Sequence, residues 1–129
     1  MRYLGIDYGS KRIGLAISDE EGKIAFPHKV IESNPDPFKT IQRIGEITKA
    51  QNISTIIIGL PLSFDGKKTQ QTITVERFAQ VLQGAVQLPV EFQNEILSSR
   101  MAEREGIARG NIDSSAAAII LQSYLDSHA

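Results

Sequence analysis

The chain has 129 residues, 14 Lys plus Arg against 15 Asp plus Glu, and a net charge of −1. It is long enough to bury the core of one domain over residues 1–129, and it is not basic enough to be held on nucleic acid by bulk charge, so any such contact must come from a local patch. With no cysteine, structural disulfides and thiolate metal sites are excluded, and His28 and His128 are too few for a His-based one.

Residues 2–8 and 13–18 read as two strands joined by "GSKR", a hairpin by length. Leu4, Ile6 and Tyr8 share one face of the first strand, and Gly5, Asp7 and Gly9 share the other. In the second run Ile13, Leu15 and Ile17 alternate with the small Gly14, Ala16 and Ser18. One face is bulky, and the other is reduced around Asp7, as if to leave room beside a carboxylate. "DEEGK" makes a turn, and residues 24–31 form a third strand interrupted by Pro27. "SNPDP" marks a helix start, after which Phe38, Ile41, Ile44 and Ile47 recur at a helical interval to about residue 50.

"ISTIIIGLP" is short, β-branched and almost wholly apolar, the composition of a central strand buried on both faces. "LSFDGKKTQ" is a loop, and Val75, Phe78, Ala79 and Leu82 give the next helix its apolar face. "PVEFQNE" is a further strand, and residues 98–109 and 113–126 read as helices. The order βββαβαβα, with one added short helix, implies an α/β fold: one mixed sheet with helices on its faces. No apolar run approaches the ~20 residues of a membrane span, and the N-terminus enters a β-rich run with no signal-peptide pattern. These features point to a soluble, cytoplasmic protein with no membrane partner.

Open sheets of this type place ligands beyond the carboxyl ends of their strands. Three acids fall at candidate ends: Asp7 near the end of the first strand, Glu95 at the end of "VEFQNE", and Asp113 where the last helix begins. Each has a plainer reading: a hydrogen-bond acceptor near the hairpin turn, an exposed strand-end charge and a helix N-cap. If the three converge, their mutual repulsion is relieved by a divalent cation, and hard oxygen ligands suit Mg2+ or Mn2+. Such ions activate water and stabilise the leaving oxygen of a phosphodiester. Lys11, Arg12, Lys67, Lys68 and Arg100 are the local cations that could hold phosphates. Gly59 either ends a strand or lets a backbone approach a ligand closely.

Four ordered blocks, "GIDYGSKRIGLAISD", "IIIGLPLSFDGKKTQQT", "NEILSSRMAE" and "IDSSAAAIILQSYLD", resemble the YqgF/RuvX family over nearly the whole chain. The resemblance implies an RNase H-like fold with a mixed five-stranded sheet, related to the RuvC Holliday junction resolvases. It implies metal-dependent phosphodiester hydrolysis in 5′-end maturation of pre-16S rRNA, with catalytic and metal-binding acids at Asp7, Glu95 and Asp113. The expected partner is a structured nucleic acid, pre-rRNA ahead of a four-way DNA junction, bound by a monomer or weak homodimer. One block departs from the usual Asp-Glu-Arg-Leu-Thr-Thr: Asn94 replaces the first acid and Ile96 the arginine, for which Arg100 could substitute one turn later. Strand neighbours face opposite ways, and the retained Glu95 is taken as the inward one.

Two other classes compete. "DYGSKRIG" has the Asp-x-Gly-x4-Gly spacing of the first phosphate loop of sugar kinases and actin-like ATPases, but those need two lobes. A non-catalytic RNA- or ribosome-associated module is the other, made plausible by the altered "NEILSS" block.

Overall fold

A computed structural model describes residues 1–94 and 112–128, except the side chains of residues 112–115. The first strands are β1 (Arg2–Tyr8), β2 (Arg12–Ser18) and β3 (Ala25–Glu32). Helix α1 (Pro37–Ala50), β4 (Ile53–Leu60), α2 (Gln70–Val86), β5 (Val90–Asn94) and α3 (Ile112–Ser127) follow. The helix expected over 98–109 lies outside the described residues. Among the described residues no helix is long and apolar enough to cross a membrane.

The five strands form one mixed sheet in the order β3-β2-β1-β4-β5. β2 runs antiparallel to both its neighbours, and β1, β4 and β5 are mutually parallel. The β1–β2 register pairs Leu4 with Ile17, Gly5 with Ala16, Ile6 with Leu15 and Asp7 with Gly14. Bulky residues therefore meet bulky ones on one face and small residues meet small ones on the other, as the alternation requires. At β3 the ladder slips by one between Leu15 and Ala16, opposite Pro27. Proline lacks the N–H that a regular ladder would use, so an edge strand with a bulge is where it can sit.

The bulky face carries the larger core. Leu4, Ile6, Ile13, Leu15, Ile56 and Ile58 pack there against Ile41, Ile44 and Ile47 of α1 and Val75, Ala79 and Leu82 of α2. Phe78 is half-buried, with its ring centroid 4.3 Å from that of Tyr8. Phe38 departs from the expected helix face, being 74% exposed in the first turn of α1, before the helix reaches the sheet. The small face is covered by α3: Ala16 and Ile57 are buried against Ala117, Ile120, Leu121, Tyr124 and Leu125.

Local chemistry fixes the ends. Asp36 caps α1, accepting from the Phe38 N–H at 3.0 Å, with Pro37 following. Thr69 and Thr72 form a reciprocal capping box at the start of α2. The turn after β2 is built on Asp19, whose Oδ1 accepts from the N–H groups of Lys23 at 2.8 Å and Ile24 at 3.1 Å. Those backbone donors, Ile24 first, hold its carboxyl below the usual range.

Candidate active site

Asp7 is the penultimate residue of β1 and is half-buried on the small-residue face. Its partner across the hairpin is Gly14. On the other side Ile6 pairs with Ile58, which carries the next step to Gly59, and Gly59 pairs with Gln93. A row thus crosses the sheet near its carboxyl end: Gly14, Asp7, Gly59, Gln93. Among the described residues none donates a hydrogen bond to the Asp7 carboxylate or forms an ion pair with it. The plain role of accepting from the hairpin turn is therefore not the one Asp7 fills.

Helix α3 crosses this face antiparallel to β1. The Tyr124 ring lies 5.9 Å from that of Tyr3, while Gly5 lies under Ala117 and Leu121. Moving up β1 thus moves back along α3, and the first turn of the helix comes toward the Asp7 end. Asp113 is the second residue of α3; its side chain lies outside the description.

Glu95 and Arg100 lie outside the described residues. Asn94 pairs with Leu60, which packs into the α1–α2 core, so Asn94 stands on the face opposite Asp7. The residues of β5 that share Asp7's face are Glu91 and Gln93. Among the described residues no group of three His, Asp or Glu side chains converges to hold a metal.

Two of the small residues on this face, Gly5 and Gly59, lie directly against α3. A Cβ on Gly5 would stand 2.8 Å from Leu121 Cβ and 3.0 Å from the Ala117 carbonyl oxygen, and one on Gly59 2.6 Å from Ile120 Cδ1. The missing side chains of Gly5 and Gly59 make room for α3. At Gly9 the close neighbour is the Arg12 carbonyl oxygen, 2.5 Å from where a Cβ would be.

Lys11 and Arg12 project from the β1–β2 turn and are exposed. That turn is tied to the end of β3: the Ser33 N–H donates to the Lys11 carbonyl at 2.9 Å and its hydroxyl to the Gly9 carbonyl at 3.1 Å. Lys67 and Lys68 follow β4 and are engaged within the protein, Lys67 with Asp65 at 3.8 Å and Lys68 with Glu76 at 2.9 Å. Among the described residues, one surface concavity is lined by Arg2, Asp19 and Phe26, and another lies between the far ends of α1 and α2. Neither includes Asp7.

The family model described as "RuvX: Holliday junction resolvase" matches residues 1–127. The chain belongs to the RuvX family. A relative of this RuvX chain from Maridesulfovibrio salexigens is 42% identical over 133 residues, covering 97% of this chain and 98% of its own. One from Mycoplasma mobile is 40% identical over 135 residues, covering 99% and 94%. Both carry the name "Putative pre-16S rRNA nuclease".

Among solved structures, T. thermophilus RuvC in complex with a Holliday junction substrate matches this RuvX chain with a TM-score of 0.69. Its identity is 15%, over 99% of this chain and 95% of that one. The fowlpox virus Holliday junction resolvase matches at 0.60 and 14%, covering all of both chains. These likenesses fix the fold as RNase H-like. A ROK hexokinase from Thermus thermophilus also matches, at 0.50 and 18%, but over only 39% of its own length. That match spans 81% of this chain, so the likeness is one of fold with part of the kinase.

Proposed function

We propose that this RuvX-family nuclease is a metal-dependent endonuclease that hydrolyses phosphodiesters in the 5′ region of pre-16S rRNA, with Asp7, Glu95 and Asp113 as its metal-binding acids. The observation that carries the reading is Asp7: a half-buried carboxylate at a strand's carboxyl end, with no donor or cation among the described residues satisfying it. Leaving such a group without a partner is costly, and a cation offsets that cost. Asn94, on the opposite face, does not compete for the place beside Asp7, and Glu95 is the acid that block retains; the antiparallel course of α3 favours Asp113 as the third. A carboxylate set without His or Cys suits Mg2+ or Mn2+. Such an ion would supply water activation and charge neutralisation at the leaving oxygen. The protein's own part is to hold the acids on a rigid sheet and helix, and to position phosphates through Lys11, Arg12, Lys67, Lys68 and Arg100. A single domain over residues 1–129, acting in the cytoplasm as a monomer or weak dimer, is consistent with this role.

A second reading, cleavage of four-way DNA junctions, is favoured by the family model's description and by the RuvC likeness. Purified protein with Mn2+ on a pre-16S 5′ leader and on a junction, in parallel, separates the two. Asp7→Asn keeps the shape and removes the charge, and should lower cleavage by at least two orders of magnitude. Undiminished turnover in that variant, or equal turnover in excess chelator, would remove the metal-nuclease reading.

A further inference from the structure

Phe64 is 91% exposed, the most exposed large apolar side chain among the described residues. It stands in the loop between β4 and α2. Folding gains nothing from an aromatic ring left in water. The segment carrying it is nevertheless firmly built. An isolated bridge joins Leu62 to Lys68, and the Ser63 N–H donates to the Lys67 carbonyl at 3.0 Å. Gly66 takes φ +80 and donates its N–H to the Ser63 carbonyl at 2.9 Å. The Ser63 hydroxyl donates to Asp65, whose carboxylate also accepts from the Lys67 N–H. These contacts hold the Asp65 carboxyl below the usual range, the Ser63 bond most of all. At its base the Thr72 hydroxyl donates to the Pro61 carbonyl.

The placement is as informative as the rigidity. β4 is the parallel neighbour of β1, so the loop leaves the sheet at the same end as Asp7. A braced turn thus presents one bare ring at the edge where the proposed chemistry occurs. Its flanking cations already have carboxylate partners, so phosphate binding alone does not account for the loop.

We infer that Phe64 is a base-stacking contact, a ring that receives an unpaired nucleobase of the RNA and thereby positions the strand across the Asp7 site. This rests on the nuclease reading for its substrate, but its test does not depend on turnover. Every base offers a π-face, so such a contact is tolerant of sequence.

The chain contains no tryptophan, so Phe64→Trp installs a single fluorescent reporter at the proposed contact. In an Asp7→Asn background, titration with a 20-nucleotide unpaired RNA should quench the indole emission. A ribose–phosphate strand of equal length without bases should not. Phe64→Ala should weaken RNA binding about tenfold, within the range for loss of one stacked base, with no change for the abasic strand and no change in thermal midpoint. Phe64→Tyr should restore affinity and Phe64→Leu should not, since the flat face and not apolar bulk is required. In the active enzyme the loss should appear mainly in KM.

Equal quenching by the abasic strand, or wild-type affinity in Phe64→Ala, overturns the contact. Quenching by RNA from a protein that cleaves nothing defeats the nuclease reading and upholds the stacking. Cleavage with unchanged KM in Phe64→Ala defeats the stacking alone.

Discussion

Asp7 and Glu91 share one face of the sheet, yet the protein treats their carboxylates differently. Glu91, in the row of Gly5 and Ile57, accepts from the Tyr124 hydroxyl at 2.5 Å. Asp7, one row nearer the carboxyl end, receives nothing from the described residues. Burial first, and Glu91 second, push the Tyr124 phenol up to about 12 from its ordinary 10.0. The sign follows from linkage. A tyrosine is charged when deprotonated, so a raised folded pKa favours the neutral form in the native state. Its contribution is whole below pH 10 and is lost as pH rises from 10 to 12. Tyr124→Phe removes the hydrogen bond and should cost about 1 kcal/mol at pH 7, as expected where the acceptor is open to water. Denaturant titrations should show the wild-type advantage over Tyr124→Phe shrinking between pH 10 and 12, with cleavage at pH 7 retained. An advantage constant across that window would separate the phenol's proton from stability.

At the scale of elements, the small residues on Asp7's face decide how closely α3 packs on the sheet. Gly5 meets a backbone carbonyl and the fixed Cβ of Leu121, neither of which can turn aside. Gly59 meets the Cδ1 end of Ile120, which can. Gly5→Ala should therefore cost about 2–3 kcal/mol, at the upper end for overpacking, and Gly59→Ala less. Ile120→Val alone should cost about 1 kcal/mol. Combined with Gly59→Ala it should cost less than the two single changes together, because it deletes the clashing methyl. Thermal melts of the four proteins measure that coupling, and strict additivity would mean the helix moves away as a body.

This interface also shows what the sequence could and could not reveal. The period-two alternation of β1 and β2 disclosed which residues share Asp7's face, because register follows directly from it. It did not disclose what covers that face, since small residues suit a ligand and a close-packed helix equally well. Phe38 fits the 3.6-residue interval of α1, yet periodicity does not say where the helix first meets the sheet. Phe64 gave no sequence signal at all, because a lone aromatic in a loop has no period. Asn94 was legible by parity as soon as the β4–β5 register was known.

At the scale of the whole molecule, charge and direction work together. The carboxyl ends of β1, β3, β4 and β5 and the N-termini of all three described helices lie toward one end of the sheet. Helix N-termini carry partial positive charge, so this end favours phosphates although the chain as a whole is at −1. Binding to RNA should consequently depend on salt only moderately. With about three or four phosphate contacts at roughly 0.7 per contact, log K against log salt should fall with a slope of about −2 to −3. The contributions should not be equal. Lys11 projects from a turn pinned by Ser33, so Lys11→Ala should reduce the slope by about 0.7. Lys68 must first give up Glu76 at 2.9 Å, and Glu76 would then stand near the phosphate unpaired. Lys68→Ala should therefore change slope and affinity less than Lys11→Ala, and Glu76→Gln, which frees the ammonium, should strengthen RNA binding. Filter binding between 50 and 300 mM KCl decides it. A larger loss for Lys68→Ala would mean that the ion pair opens on binding, and that the loop carrying Phe64 holds the RNA backbone as well as its base.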